Sequence, residues 1–153
     1  MRIGIDMDDT ITDTWNYMLE DISKEFNIEL SMLKEKKNAY AKLLTDDFGI
    51  SLDEYCQKMR PVYQRHVLNL PLQKEADKYI NKLHDEGNEI YFITARETLF
   101  YNDPYGLSKE YLTKNNIYFD KLITDAKNKE KTCEEYNIDI LIDDRYTTIE
   151  KVI

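Results

Sequence analysis

The chain has 153 residues, of which 42% are hydrophobic and 33% are charged, and its formal net charge at pH 7 is −9. This length supports one domain with a buried core, and the composition excludes a disordered or fibrous protein. The acidic balance makes nucleic acid and anionic membranes unfavourable partners, and no apolar run approaches the roughly 20 residues that a membrane-spanning helix needs.

The first predicted element is a buried strand over residues 2–7, in which Gly4 leaves room for a close neighbour. Asp6, Asp8 and Asp9 crowd together where this strand ends. Carboxylates this close repel each other, and a buried carboxylate is unfavourable unless it is paired or bound to a metal. The cluster therefore predicts a functional site whose neutralising groups come from elsewhere in the chain.

After the first strand, the pattern predicts a series of helices before the next strand. The first of them has an apolar stripe at helical spacing, formed by Trp15, Met18, Leu19, Ile22 and Phe26. Ser51 and Glu54 resemble a capping box that opens a later helix, which Pro61 is expected to kink or divide. A basic run, KEKK at 34–37, is interpreted as a solvated face of this helical region.

The rest of the chain alternates between helix and strand. The predicted elements are a helix that ends at Gly87, the strand EIYFIT, a helix near 108–115, the strand DKLIT, a helix over about 127–136, the strand IDILI and a last helix from about Thr147. This alternation predicts parallel β-α-β units in a three-layer α/β fold. We interpret residues 1–12 and 71–153 as the core domain, and 13–70 as a helical cap inserted after the first strand.

Polar side chains follow three of the predicted strands, at the edge where such sheets bind ligands. They are Asp6, Asp8, Asp9 and Thr10 after the first strand, Thr94 and Arg96 after EIYFI, and Asp143, Asp144 and Arg145 after IDILI. Carboxylates with a hydroxyl and no histidine favour Mg²⁺. One aspartate could attack phosphorus while a second protonates the leaving oxygen, with Thr94 and Lys129 facing the phosphoryl oxygens. These residues predict hydrolysis of a phosphomonoester.

Four motifs together resemble those of the haloacid dehalogenase (HAD) superfamily of phosphatases. DMDDT looks like its first motif, D-x-D-x-T, and Thr94 in YFITAR matches the second. Lys129 matches the third, and LIDDR, with Asp143 and Asp144, matches the fourth. Within the superfamily the sequence looks most like the small 5′-nucleotidase group, which includes the cytosolic deoxyribonucleotidases and their bacterial relatives. The resemblance implies a Rossmann-like core with a small helical cap that selects the substrate.

The resemblance also implies a role for each matching residue. Asp6 would be the nucleophile that forms an aspartyl-phosphate, and Asp8 the general acid and then the base that activates water. The phosphate would be bound by Asp9, Thr94, Ala95 and Lys129. Magnesium would be held by Asp6, the backbone carbonyl of Asp8, Asp143 and Asp144.

Some positions depart from the family pattern or allow two interpretations. The residue after Asp8 is usually glycine, and Asp9 adds negative charge beside the site. Lys127 and Lys131 lie close to Lys129, whose assignment therefore depends on the spacing to Asp143 alone. Arg96 is a candidate substrate contact, with an outer salt bridge as the alternative. Trp15 is a candidate for stacking on a nucleobase, with core packing as the alternative.

The leading functional hypothesis is an Mg²⁺-dependent phosphatase for a small phosphorylated substrate, most simply a nucleoside 5′-monophosphate. The alternatives are a phosphatase for polynucleotide ends or other small metabolites, and a non-catalytic module that binds a phosphorylated ligand. The net charge of −9 disfavours nucleic acid. Because the chain stops soon after Asp143, where similar proteins continue, we expect a short sheet edge or one completed by a partner, as in a homodimer.

The sequence also predicts the cellular location. Cys56 and Cys133 fit no zinc-binding spacing and are predicted to be reduced thiols. No basic stretch followed by an apolar run opens the chain, so no signal peptide is expected. The protein is therefore predicted to be soluble and cytoplasmic.

Overall fold

A computed structural model describes residues 1–34 and 42–145, and its centre is a four-stranded parallel sheet. The strands are β1 (Arg2–Ile5), β2 (Glu89–Ile93), β3 (Lys121–Ile123) and β4 (Ile140–Ile142), in the order β3-β2-β1-β4. The strand that begins the chain thus lies between β2 and β4, in register with both. The predicted strands and their parallel pairing are confirmed.

Helices occupy the connections between these strands. They are α1 (Thr14–Phe26), α2 (Leu30–Lys34), a π-helix (Leu43–Asp47), α3 (Leu52–His66), α4 (Ala76–Asp85), α5 (Pro104–Lys114) and α6 (Lys129–Glu135). The connection from β1 to β2 contains α1 to α4 and the π-helix. Division of the chain into a core domain and a cap stays a prediction.

The sheet is covered on both faces, because the side chains of β2 alternate between two apolar clusters. Ile90 and Phe92 belong to the larger cluster, whereas Tyr91 and Ile93 belong to a smaller one with Cys133 of α6. Burial of apolar surface on both faces is what a near-continuous hydrophobic strand such as EIYFI requires. The three-layer α/β architecture is confirmed.

Gly4 lies at a crowded position of β1. A Cβ atom at this position would lie 3.0 Å from Cδ1 of Ile93, 3.1 Å from Cγ2 of Ile138 and 3.2 Å from Cδ1 of Leu141. Any side chain there would displace its neighbours in a close-packed core. The expectation that Gly4 leaves room for a close neighbour is confirmed.

Two helices differ from the prediction, and one cap agrees with it. The Ser51 side chain accepts a hydrogen bond from the backbone N–H of Glu54, as predicted, and opens α3. Pro61 does not divide α3, which is continuous to His66; Pro61 itself is exposed, so water can replace the lost backbone hydrogen bond. α5 begins four residues earlier than predicted, because Asp103 caps it.

Two predicted features lie outside the described residues. They are the last helix from about Thr147 and most of the KEKK run at 34–37. Over residues 1–34 and 42–145, none of the helices combines the length and the apolar character that a bilayer crossing requires.

Candidate active site

The ends of β1 and β4 are joined by Thr10. The backbone N–H of Asp6 donates to the carbonyl of Ile142 at 2.9 Å, which extends the strand pairing into the site. The Thr10 hydroxyl donates to Oδ2 of Asp6 at 3.1 Å and accepts from the backbone N–H of Asp144 at 3.1 Å. The threonine of D-x-D-x-T therefore fixes the first and fourth motifs relative to each other. The sequence predicted that Thr10 lies at the carboxyl end of the sheet, but not that it joins β1 to β4.

Lys129 contacts two of the aspartates directly. It is the first residue of α6, and Nζ donates to Oδ1 of Asp6 at 2.6 Å and to Oδ2 of Asp143 at 2.5 Å. All three residues are buried. Of the neighbouring lysines, Lys127 pairs with Glu97 and Lys131 is exposed. Lys129, chosen by its spacing from Asp143, is the lysine that the fold places against the aspartates.

Burial determines the ionisation of this group. The pKa of Asp6 is raised to about 7, mainly by burial and also by the charges of Asp143 and Asp8, and Lys129 opposes the shift. Burial alone would lower the pKa of Lys129, but Asp6 and Asp143 raise it above its ordinary value. Burial and the charge of Asp143 also raise the pKa of Asp144. The ionised forms of Asp6 and Asp144 are therefore less favourable at this site than in water.

Asp6, Asp143 and Asp144 present the donor set of a hard-cation site. Each offers a carboxylate oxygen, and these oxygens lie within 4.8 Å of one another. When all three carboxyl groups are ionised, as they must be to bind a metal, Lys129 balances one negative charge and two remain for a divalent cation to neutralise. The residues present thus fit Mg²⁺ in both ligand chemistry and charge.

Arg96 is buried against Asp8, which corrects the expectation of a substrate contact or an outer salt bridge. Arg96 is only 4% exposed. Its Nε donates to Oδ2 of Asp8 at 3.0 Å, its Nη2 to Oδ1 at 2.9 Å, and its Nη1 to the hydroxyl of Ser108 at 3.2 Å. A planar guanidinium suits such a two-point contact with a carboxylate. The buried Arg96 side chain therefore lies within the candidate site and positions the Asp8 carboxylate.

This contact changes the chemistry of Asp8. Burial alone would raise the pKa of Asp8, but Arg96 and a hydrogen bond from Thr14 hold it below its ordinary value. The Thr14 hydroxyl donates to Oδ1 of Asp8 at 2.8 Å. The ionised form of Asp8 is therefore favoured, and three hydrogen bonds set the orientation of its carboxylate.

Asp9 caps α1 through one oxygen of its side chain. Its Oδ1 accepts hydrogen bonds from the backbone N–H groups of Thr14 at 3.0 Å and Trp15 at 3.1 Å. Its φ of 60° lies in the left-handed region, where glycine is usual and aspartate is tolerated. Burial raises the pKa of Asp9 to about 6. The phosphate-binding role of Asp9 stays a prediction; its backbone N–H donates a hydrogen bond to the Thr12 hydroxyl at 3.4 Å.

The remaining predicted residues lie at different depths. Thr94 is buried at the end of β2, and its hydroxyl accepts a hydrogen bond from the backbone N–H of Arg96 at 3.3 Å. Ala95, next to it, is exposed. Trp15 is 1% exposed in the larger apolar cluster, so its ring is not presented to a nucleobase and core packing is the observed role.

Solved structures share this fold at low sequence identity. A "predicted phosphatase" from Clostridium acetobutylicum matches with a TM-score of 0.73 and 18% identity, over 98% of this chain and 78% of that one. A haloacid dehalogenase-like hydrolase from Streptococcus pneumoniae matches with a TM-score of 0.68 and 15% identity, over 99% and 79%. A HAD-superfamily hydrolase of subfamily IA from Geobacter sulfurreducens matches with a TM-score of 0.59 and 15% identity, over 99% and 81%.

These neighbours confirm the predicted fold class, a Rossmann-like α/β fold of HAD hydrolases. No protein-family model and no curated protein sequence matches the chain. The likeness to the 5′-nucleotidase group stays a prediction.

Proposed function

We propose that the protein is an Mg²⁺-dependent phosphomonoester hydrolase that works through an aspartyl-phosphate and acts on nucleoside 5′-monophosphates. The observation that carries this proposal is the contact of Lys129 Nζ with both Asp6 and Asp143. It combines a nucleophile, a fixed cation and a cation-binding carboxylate at the carboxyl end of the sheet. The hydrolase fold of the structural neighbours supports the reaction class.

Magnesium would be held by Asp6, Asp143 and Asp144, together with the backbone carbonyl of Asp8. When bound, it would neutralise the carboxylates and the approaching phosphate and so reduce the repulsion between them. Lys129 would contact the phosphoryl oxygens from the side of α6, and the Thr94 hydroxyl would donate to the same group from the end of β2.

The reaction would proceed in two halves. In the first, a carboxylate oxygen of Asp6 attacks phosphorus, the bond from phosphorus to the ester oxygen breaks, and that oxygen takes a proton from the Asp8 carboxyl. In the second, ionised Asp8 takes a proton from water, whose oxygen attacks phosphorus. The bond from phosphorus to Asp6 then breaks, phosphate leaves, and Asp8 holds the proton again.

The contact with Arg96 suits Asp8 to the second half. A low pKa keeps Asp8 ionised, which is the form that accepts a proton from water. The protonated form needed in the first half is scarce at neutral pH, although it is a strong acid once formed. We therefore expect substrates whose leaving oxygen needs little protonation to be hydrolysed faster.

The experiment is a phosphate-release screen with and without Mg²⁺. It includes nucleoside 5′-monophosphates, sugar phosphates, an aryl phosphate and a 3′-phosphorylated oligonucleotide. We expect Mg²⁺-dependent release that, among the alkyl phosphate esters, is fastest with a nucleoside 5′-monophosphate; preference for the oligonucleotide would favour the polynucleotide-end alternative. Asp6→Asn should abolish turnover, whereas Asp85→Asn, an exposed position at the end of α4, should not. Full activity of Asp6→Asn would exclude Asp6 as the nucleophile.

A further inference from the structure

A cavity of about 690 Å³ opens between α3 and the loops that follow β2 and β3. The charged residues that line it are Asp53 and Arg60 of α3, Glu97 after β2, and Asp125 and Lys127 after β3. Its size suits a nucleoside or another small organic group. The sequence motifs assign nothing to this cavity.

The cavity shares its wall with the loop that follows β2 and carries Arg96. Glu97 directly follows Arg96, whose guanidinium contacts Asp8. The backbone N–H of Asp125 donates to the carbonyl of Arg96 at 2.8 Å, and that of Ala126 donates to the carbonyl of Thr94 at 3.0 Å. The loops after β2 and β3 are therefore tied together beside the proposed acid and phosphate-binding residues. The cavity therefore lies at the same edge of the sheet as Asp8, beyond the carboxyl ends of β2 and β3.

The Nη1 and Nη2 groups of Arg60 are occupied by hydrogen bonds to the loop after β2. Its Nη1 donates to the carbonyls of Thr98 at 2.6 Å and Leu99 at 2.9 Å, and its Nη2 donates to Oδ1 of Asn102 at 2.7 Å. The backbone N–H of Asn102 also donates to Oε1 of Gln64 at 3.0 Å. These contacts fasten α3 to the loop after β2, so Arg60 holds the cavity in shape.

Lys127 is engaged as well. Its Nζ pairs with Oε2 of Glu97 and lies 3.8 Å from Oδ1 of Asp125. The Glu97 side chain is 14% exposed, whereas that of Lys127 is 66% exposed. The carboxylates of Asp53, Glu97 and Asp125 outnumber the two cations. In the described part of the chain, the lining of the cavity is thus net acidic, and both of its cations have protein acceptors.

We propose that this cavity holds the leaving group and selects one that is uncharged over one that carries a second phosphate or a carboxylate. This inference rests on the proposed function and adds the charge class of the substrate. A second anion would meet Asp53, Glu97 and Asp125, and it would have to displace Glu97 from Lys127. An uncharged group with hydrogen-bond donors, such as a nucleoside, is not repelled by these carboxylates and leaves the ion pair of Glu97 and Lys127 intact.

The test uses two aryl phosphates of matched shape, para-carbamoylphenyl phosphate and para-carboxyphenyl phosphate. The quantity measured is the ratio of kcat/KM for the carboxylate to kcat/KM for the amide. Glu97→Gln removes the acceptor charge and frees Lys127, so we expect this ratio to rise about fivefold, the effect of one charge pair at contact distance in water. Glu89→Gln also removes a glutamate from a salt bridge, with Arg2 at the opposite end of β2, and should leave the ratio unchanged. Comparison between variants cancels the intrinsic reactivities of the two esters.

Lys127→Ala provides a second variant at an exposed position. It leaves Glu97 without its cation, so the ratio should fall below that of the wild type. An unchanged ratio in both Glu97→Gln and Lys127→Ala would overturn the proposal about the cavity while leaving the phosphatase intact. Release of phosphate from neither ester, nor from any monoester in the wider screen, would instead overturn the proposed function.

Discussion

The guanidinium of Arg96 contacts both carboxylate oxygens of Asp8, at 3.0 and 2.9 Å, inside the protein. The two residues follow different strands, and β1 and β2 pair in parallel, so the sheet itself brings them together. The contact sets the orientation of Asp8 and neutralises its charge beside the proposed phosphate position. Burial makes such a pair sensitive to loss of either member.

Replacement of Arg96 should change the pH dependence of the reaction as well as its rate. Arg96→Lys keeps the charge but loses the two-point contact, so the pKa of Asp8 should rise towards its ordinary value. We expect kcat to fall about tenfold or more. The limb of the kcat/KM profile that reports Asp8 should also move to higher pH. A general structural defect would lower the rate without moving the profile, and that result would exclude a positioning role for Arg96.

The residues that meet in the site could be predicted from the sequence where the end of a strand determines their position. Asp6 and Asp143 follow strands that share one edge of a parallel sheet, and the spacing to Lys129 identified the lysine that contacts them. The contact of Arg96 with Asp8 depends on side-chain rotamers, which strand patterns do not specify. The cap formed by Asp9 was missed because it spans a turn to α1, outside the usual N-cap position.

Magnesium should stabilise the folded protein through the carboxylates at this edge. Because binding to the folded state alone adds RT ln(1 + [Mg²⁺]/Kd), we expect a gain of about 2.7 kcal/mol at 100 times Kd. Thermal unfolding in EDTA and in a Mg²⁺ series would measure it. Asp143→Asn should lose most of the shift, and Asp85→Asn should keep it. An equal shift in the wild type and Asp143→Asn would remove Asp143 from the metal site.

Lys129 should matter most when no metal is present. Lys129→Met leaves Asp6 and Asp143 buried without their ammonium, so the free energy of unfolding in EDTA should fall by roughly 3 kcal/mol. Mg²⁺ should restore more of this loss than it adds to the wild type, because the cation replaces the missing charge. Turnover should stay low in both conditions if Lys129 contacts the phosphate.

Lys131→Met, on the same helix but exposed, is the matched control for Lys129→Met. It should change neither unfolding nor turnover. A Lys129→Met variant with wild-type stability in EDTA would show that the aspartates do not depend on this lysine for their charge balance.

Asp9 should make stability depend on pH in the metal-free protein. Its pKa in the folded state, about 6, lies above the ordinary value of 3.8, so the folded state binds the proton more tightly than the unfolded state. Its contribution to stability therefore declines as pH rises through this interval and is lowest above it. Asp9→Asn cannot ionise and keeps an oxygen to cap α1. At neutral pH we expect the free energy of unfolding of this variant to exceed that of the wild type by about 1 kcal/mol, after allowing for partial solvent screening. Near pH 3.8 the two should differ little.

Asp9→Ala separates the charge of Asp9 from its cap. It removes both and places alanine at a φ of 60°, which asparagine tolerates better. It should therefore be less stable than Asp9→Asn by about 1 kcal/mol or more at every pH, since the N–H groups of Thr14 and Trp15 also lose their acceptor. Urea unfolding in EDTA across this pH range would measure both differences. A constant difference between the wild type and Asp9→Asn would mean that Asp9 ionises alike in the folded and unfolded states. In that case the unfavourable burial of its carboxylate must be offset by the helix terminus that it caps.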